Sequence, residues 1–144
     1  MGKGGSVFHE IEVPDFTRPA AVGAIVLGYA SGPRVPIVRG GLGVALLPVA
    51  PTLDREFLLT DRLRVVCEVG IDSRGSGEAV LDLLRGSGEH VKRIATRAGS
   101  AATSWIDAPL SLDDLAPGSY RLRMTVTAGA STARAETGFI VRER

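Results

Sequence analysis

The chain of 144 residues holds one cysteine, Cys67, and two histidines, His9 and His90. One thiol excludes a disulfide framework and a cysteine-rich zinc site. Neither histidine stands in a ligand-like spacing such as His-x-x-x-His, and both read as solvent-exposed residues of strands or turns. Aromatic residues make up only 5% of the chain, which argues against a row of exposed rings for gripping sugars. Charge of one sign is nowhere concentrated: 17 Lys and Arg stand against 16 Asp and Glu. A nucleic-acid surface needs clustered phosphate-neutralising charge, so no nucleic-acid partner is expected. No apolar run approaches the ~20 residues of a membrane helix, so no membrane insertion is expected. The opening MGKGGSVFHE has no stretch suited to a signal peptide.

Catalytic motifs are equally scarce. Gly40-Gly41-Leu42-Gly43 begins like a dinucleotide loop, but Leu46 stands at the third glycine position and Pro48 blocks the helix that must follow. A plain glycine turn is the simpler reading. Cys67 alternates with apolar neighbours on one strand face, the setting of a core thiol and not of a nucleophile. Asp107, Asp113 and Asp114 could offer oxygen ligands to calcium, yet their spacing matches no loop signature, and solvated or capping carboxylates are expected. The chain is therefore read as no enzyme, with no cofactor and no metal.

What is present is glycine, proline and two-residue alternation. Eighteen glycines and eight prolines suit many tight turns, and 44% hydrophobic residues suffice for one core. Val7, His9, Ile11 and Val13 alternate with Phe8, Glu10 and Glu12 and predict a strand stopped by Pro14. Ala21–Tyr29 is apolar and β-compatible, but residues 1–50 as a whole read as an irregular, strand-poor lead-in whose short extended pieces dock on the following domain. From residue 51 the pattern sharpens. Leu63, Val65, Cys67 and Val69 face one way and Arg62, Arg64 and Glu68 the other, with Val66 out of phase. Ala79–Leu84 is expected as a strand, a short helix being the competing reading, and Val91–Thr96 as another. The pentapeptide RGSGE, at Arg74–Glu78 and Arg85–Glu89, reads as two turns flanking the first of these. Ser111–Leu115 suits one helical turn joining strands. Tyr120, Leu122, Met124 and Val126 alternate with polar residues, and Ala133, Ala135, Thr137, Phe139 and Val141 do the same after a turn at Gly129. The expectation is an all-β sandwich of about seven antiparallel strands over residues 51–144.

The segment LAPGSYRLRMTV resembles the penultimate strand of immunoglobulin-like and fibronectin type III-like sandwiches. The resemblance implies a tyrosine corner built from Leu115, Ala116, Pro117, Gly118 and Tyr120, with the Tyr120 hydroxyl bonded to backbone at Leu115 or Ala116. Antibody domains bridge two core strands by cysteines, but Leu122 stands two residues after Tyr120. Cys67 is then expected to pack as a small apolar residue. Trp105 comes too late for the antibody core tryptophan.

The combination VPDFTRP, PTLDREF, DRLRVVCEV, LAPGSYRL and FIVR is also similar to the C-terminal region of bacterial proteins related to von Willebrand factor A domain proteins, where a β-sandwich follows the A domain. That resemblance implies an exported, partner-binding or scaffolding role. The A domain's Asp-x-Ser-x-Ser metal motif is absent, so no metal site carries over.

The functional expectation is a non-catalytic structural or protein-interaction module of a larger exported bacterial protein, extracytoplasmic and bound to other domains or subunits. The alternatives are a carbohydrate- or ligand-binding module and an accessory domain of an enzyme whose active site lies elsewhere. Trp105 is the interaction candidate among the aromatics, since aromatics anchor interfaces, with burial in the core as the competing reading. Arg62, Arg64, Arg121 and Arg123 would make a basic stripe if their two strands shared a sheet.

Overall fold

The computed structural model describes residues 13–39, 43–72, 77–99 and 101–144. Most of the Val7–Val13 strand reading, most of the Arg74–Glu78 turn and part of the Gly40–Gly43 cluster lie outside them. The described residues form no helix. They form strands β1 (Ala20–Tyr29), β2 (Val35–Arg39), β3 (Gly43–Leu47), β4 (Glu56–Leu58), β5 (Arg62–Ile71), β6 (Gly77–Arg85), β7 (His90–Ala98), β8 (Ala101–Ser111), β9 (Gly118–Ala128) and β10 (Ser131–Arg142).

Two sheets face each other, one of order β1-β5-β8 and one of order β4-β10-β9-β6-β7; β2 and β3 form a separate hairpin. Every pairing in the two larger sheets is antiparallel except β4 with β10, which is parallel over Glu56–Leu58. The alternation read in the sequence is the burial pattern of β9, where Tyr120, Leu122, Met124 and Val126 are at most 2% exposed and the residues between them are half-buried. These side chains meet Leu63, Val65, Cys67 and Val69 of β5 in one apolar core. The result is a β-sandwich, with burial of these two inner faces as its driving force.

The Ala79–Leu84 segment is a strand, within β6. Its apolar residues do not show clean alternation because Val80 and Leu84 on the outer face are also buried. The turn after it, at Arg85–Glu89, closes by the Arg85 N–H to Glu89 carbonyl bond at 2.8 Å. The connection after Ser111 is a single turn, closed by the Leu115 N–H on the Leu112 carbonyl at 3.1 Å.

The reading of residues 1–50 as a strand-poor lead-in fails for its described part, which holds β1, β2 and β3. β1 belongs to the three-stranded sheet and pairs with β5 from Ala20 to Tyr29, so the sheet is not confined to residues 51–144. Two features obscured its place in the sheet. The register slips between Val22 and Ile25, which breaks the period of two. The strand is also covered on both sides: Ile25 and Leu27 face the main core, while Val26 packs against a second cluster of Leu47, Val49 and Val66. Val66, out of phase in the sequence, is fully buried there. The segment carrying Leu47 and Val49 thus caps the outer face of the three-stranded sheet. Gly28 lets it approach, for a Cβ at this position would lie 2.3 Å from Val49 Cγ2 and 2.4 Å from the Ala50 carbonyl oxygen.

Candidate interaction surfaces

The connection between β8 and β9 is pinned by Tyr120. Its hydroxyl donates to the Ala116 carbonyl at 2.7 Å, so Ala116, and not Leu115, is the acceptor. Leu115 is buried, Ala116 and Pro117 are exposed, and Gly118 takes φ +151°, a conformation that L side chains rarely adopt. The Tyr120 ring stacks on Phe139 at 5.9 Å between centroids. Phe139 meets Phe57 edge-on at 6.0 Å, and Phe57 meets Tyr29 at 5.8 Å. This chain of rings ties β9, β10, β4 and β1 together at one end of the sandwich. At its far end the Tyr29 hydroxyl donates to Asp54 at 3.0 Å, and burial together with this carboxylate pushes the phenol above its ordinary pKa.

The four arginines do not form one stripe, because period-2 alternation assigns a face but not a sheet. Arg62 and Arg64 stand on β5 in the three-stranded sheet, Arg121 and Arg123 on β9 in the five-stranded one. Each is engaged within the chain. Arg64 grips Asp107 through two bonds, at 2.5 and 3.0 Å. Arg62 holds Ser111 and, at 2.9 Å, Asp113. The Asp113 carboxyl is held below its ordinary pKa by the Ser111 hydroxyl first and the Arg62 guanidinium second. Arg121 donates to the Gly86 carbonyl at 2.8 Å, and Arg123 binds Glu136 at 2.5 Å. Glu136 lies 3.5 Å from Arg121 as well, and the Arg123 bond keeps its carboxyl below the ordinary range.

Trp105 is half-buried and packs on the second cluster beside Val26 and Val35, under the cap formed by the β2–β3 region. Its ring is a structural contact between that cap and the sheet. Of the three aspartates, Asp107 and Asp113 take the arginines just named, and Asp114 takes Lys92 at 2.7 Å. Among the described residues no three His, Cys, Asp or Glu side chains gather as a metal would require. No helix among them is long and apolar enough to cross a membrane. His90 is exposed and lies 3.2 Å from Asp82, which also receives Arg93 at 3.0 Å. The Cys67 thiol is buried, and desolvation pushes its pKa up to about 12. Such a thiol is no nucleophile at neutral pH.

Sequence reasoning passed over a cleft of about 600 Å³ between the first half of β1 and the first half of β10. Small residues line it, among them Ala20, Ala21, Gly23, Ala133 and Ala135. The signal was available in β10, whose inward positions change from Ala133, Ala135 and Thr137 to Phe139 and Val141. The small ones are half-buried and the large ones sealed. No family model and no curated protein matches the chain.

Proposed function

We propose that the chain is a non-catalytic structural or protein-interaction module, of immunoglobulin-like and more narrowly fibronectin type III-like type, within a larger exported bacterial protein. Strand order carries this reading. In that type of sandwich three strands face a larger sheet, and the strand after the third main one stays beside it before the chain crosses over. β7 beside β6, followed by β8 in the opposite sheet, fits that order. The Tyr120 bond across the connection into β9 supports the same reading.

The chemistry of the surface supports a binding or spacing role. Ion pairs join neighbouring strands at Arg64–Asp107, Arg93–Asp82, Arg123–Glu136 and Arg142–Glu56, and opposite charges facing across a strand pair stabilise it. The likeness of its motifs to the region following a von Willebrand factor A domain supports the exported setting. Fractionation of cells making the protein from its natural reading frame tests this. Recovery in the periplasmic, surface or secreted fraction, joined to a second domain or bound to a protein partner, is the expected result. Recovery in the cytosol alone, or turnover of a substrate by the isolated chain, would overturn it.

A further inference from the structure

Among the described residues, one edge of the five-stranded sheet carries no paired strand along part of its length. The Ile140 N–H donates to the Arg55 carbonyl at 2.8 Å, and the Arg142 carbonyl accepts from the Leu59 N–H at 3.0 Å. Even-numbered residues of β10 therefore turn their backbone groups away from β9. β4 uses this edge only from Ile140 to Arg142. Strand alternation carries the same orientation back along β10. The N–H and C=O groups of Thr132, Arg134, Glu136 and Gly138 thus point off the edge, and among the described residues no strand meets them. Beside them the inward-facing Ala133, Ala135 and Thr137 are only half-buried, next to the small-residue cleft.

We infer that this edge is completed by the same edge of a second copy of the chain, the two β10 strands running antiparallel about a two-fold axis at Ala135. The inference builds on the interaction-module reading and names the partner. The open window runs from the turn at Gly129 to the first residue held by β4, and Ala135 stands near its middle. Two-fold pairing of these outward groups allows three central registers. One sets Arg134 opposite Arg134 and another Glu136 opposite Glu136; both oppose like charges, which destabilises a strand pair. The third sets Arg134 opposite Glu136 of the second copy, twice, and Thr132 opposite Gly138. That register also uses the whole window, each facing pair of outward residues exchanging two hydrogen bonds.

Charge supports the same choice. On this sheet face Arg93, Arg123 and Arg142 are each bound to a carboxylate, whereas Arg134 makes no ion pair or hydrogen bond among the described residues and acts on its own strand's Glu136 only through its charge. The other outer strands are poorer templates. β7 carries Lys92, Arg93 and Arg97, β8 carries Pro109, and β1 is kinked between Val22 and Ile25. Self-pairing about a two-fold axis closes on itself and uses up the β10 edge of both copies.

The test combines a cross-link with sedimentation. Ala135 on the axis would face its own copy across a non-hydrogen-bonded pair, at about 4.5 Å between Cα atoms, within the range of a disulfide. The native thiol is buried and does not compete. Mild oxidation of Ala135→Cys is expected to give a covalent dimer, and oxidation of Ala133→Cys or Thr137→Cys is not, since those positions would face each other and not themselves. The unmodified chain is expected to dimerise with concentration in sedimentation velocity. Arg134→Pro, which removes one outward N–H and leaves the β9 ladder intact, is expected to sediment as a monomer throughout. In hydrogen exchange, protection of the Arg134 and Glu136 amides is expected to rise with protein concentration. A monomer at millimolar concentration, a dimer that survives Arg134→Pro, or protection independent of concentration would each overturn the inference. Monomeric behaviour would leave the module reading standing with a different partner.

Discussion

Gly28 lies directly beneath Val49: the space a Cβ would need at residue 28 is taken by the valine's methyl groups and by the Ala50 carbonyl. Gly28→Ala must therefore push the capping segment off the sheet or strain β1. Overpacking of this kind costs about 1–3 kcal/mol. Denaturant midpoints are expected to fall accordingly. Trp105, the only tryptophan, packs on the Val49 cluster, so its emission is expected to shift to the red.

Among the described residues the Tyr120 hydroxyl has one hydrogen-bond partner, the Ala116 carbonyl. Tyr120→Phe keeps the ring stack on Phe139 and deletes that bond alone. Since Ala116 is exposed, water can take over its carbonyl, and the expected loss is about 1 kcal/mol. Equilibrium unfolding of the two proteins under identical conditions measures it. A loss within a few tenths of a kcal/mol of zero would show that the bond adds nothing.

Glu136 titrates below its ordinary value because Arg123 bonds the charged form. A carboxyl depressed in the folded state contributes stability that is complete above its unfolded pKa and disappears as pH falls through the folded one. Stability is therefore expected to decline on acidification below about pH 4.5, the ordinary value for this group. Glu136→Gln is expected to make that decline shallower, with less effect on the slope above it. Thermal midpoints taken across the acid range give the comparison.

Cys67 is sealed within β5 and its pKa is raised to about 12. Thiol reagents are expected to modify it only when the sandwich opens. The rate of labelling at neutral pH should fall with every stabilising condition and rise with denaturant in step with global unfolding. Rapid labelling of the native protein would contradict its burial.

The clearest parts of the sequence were strands with one wet and one dry face. Tyr120–Val126 announced itself because its outward residues are polar, and Leu63–Val69 because all its outward residues but Val66 are. β1 read only as an apolar, β-compatible stretch and not as a member of the sandwich, since both its faces are covered and its register slips after Val22. β4 was invisible for another reason: three residues held by parallel pairing to the last strand carry no local pattern. The arginine stripe failed on a limit of the same kind, alternation being blind to which sheet a strand joins. The open edge of β10 was half-written in its small inward residues, but only the reach of β4 along the neighbouring strand shows where that edge begins.

β5 serves as a party wall. Val65 looks into the main core and Val66 into the smaller cluster under the cap, and both are fully buried. A single step along the backbone therefore moves an injury from one compartment to the other. Trimming the first side chain should loosen the whole sandwich, whereas trimming the second should chiefly release the outer covering and leave the inner room furnished.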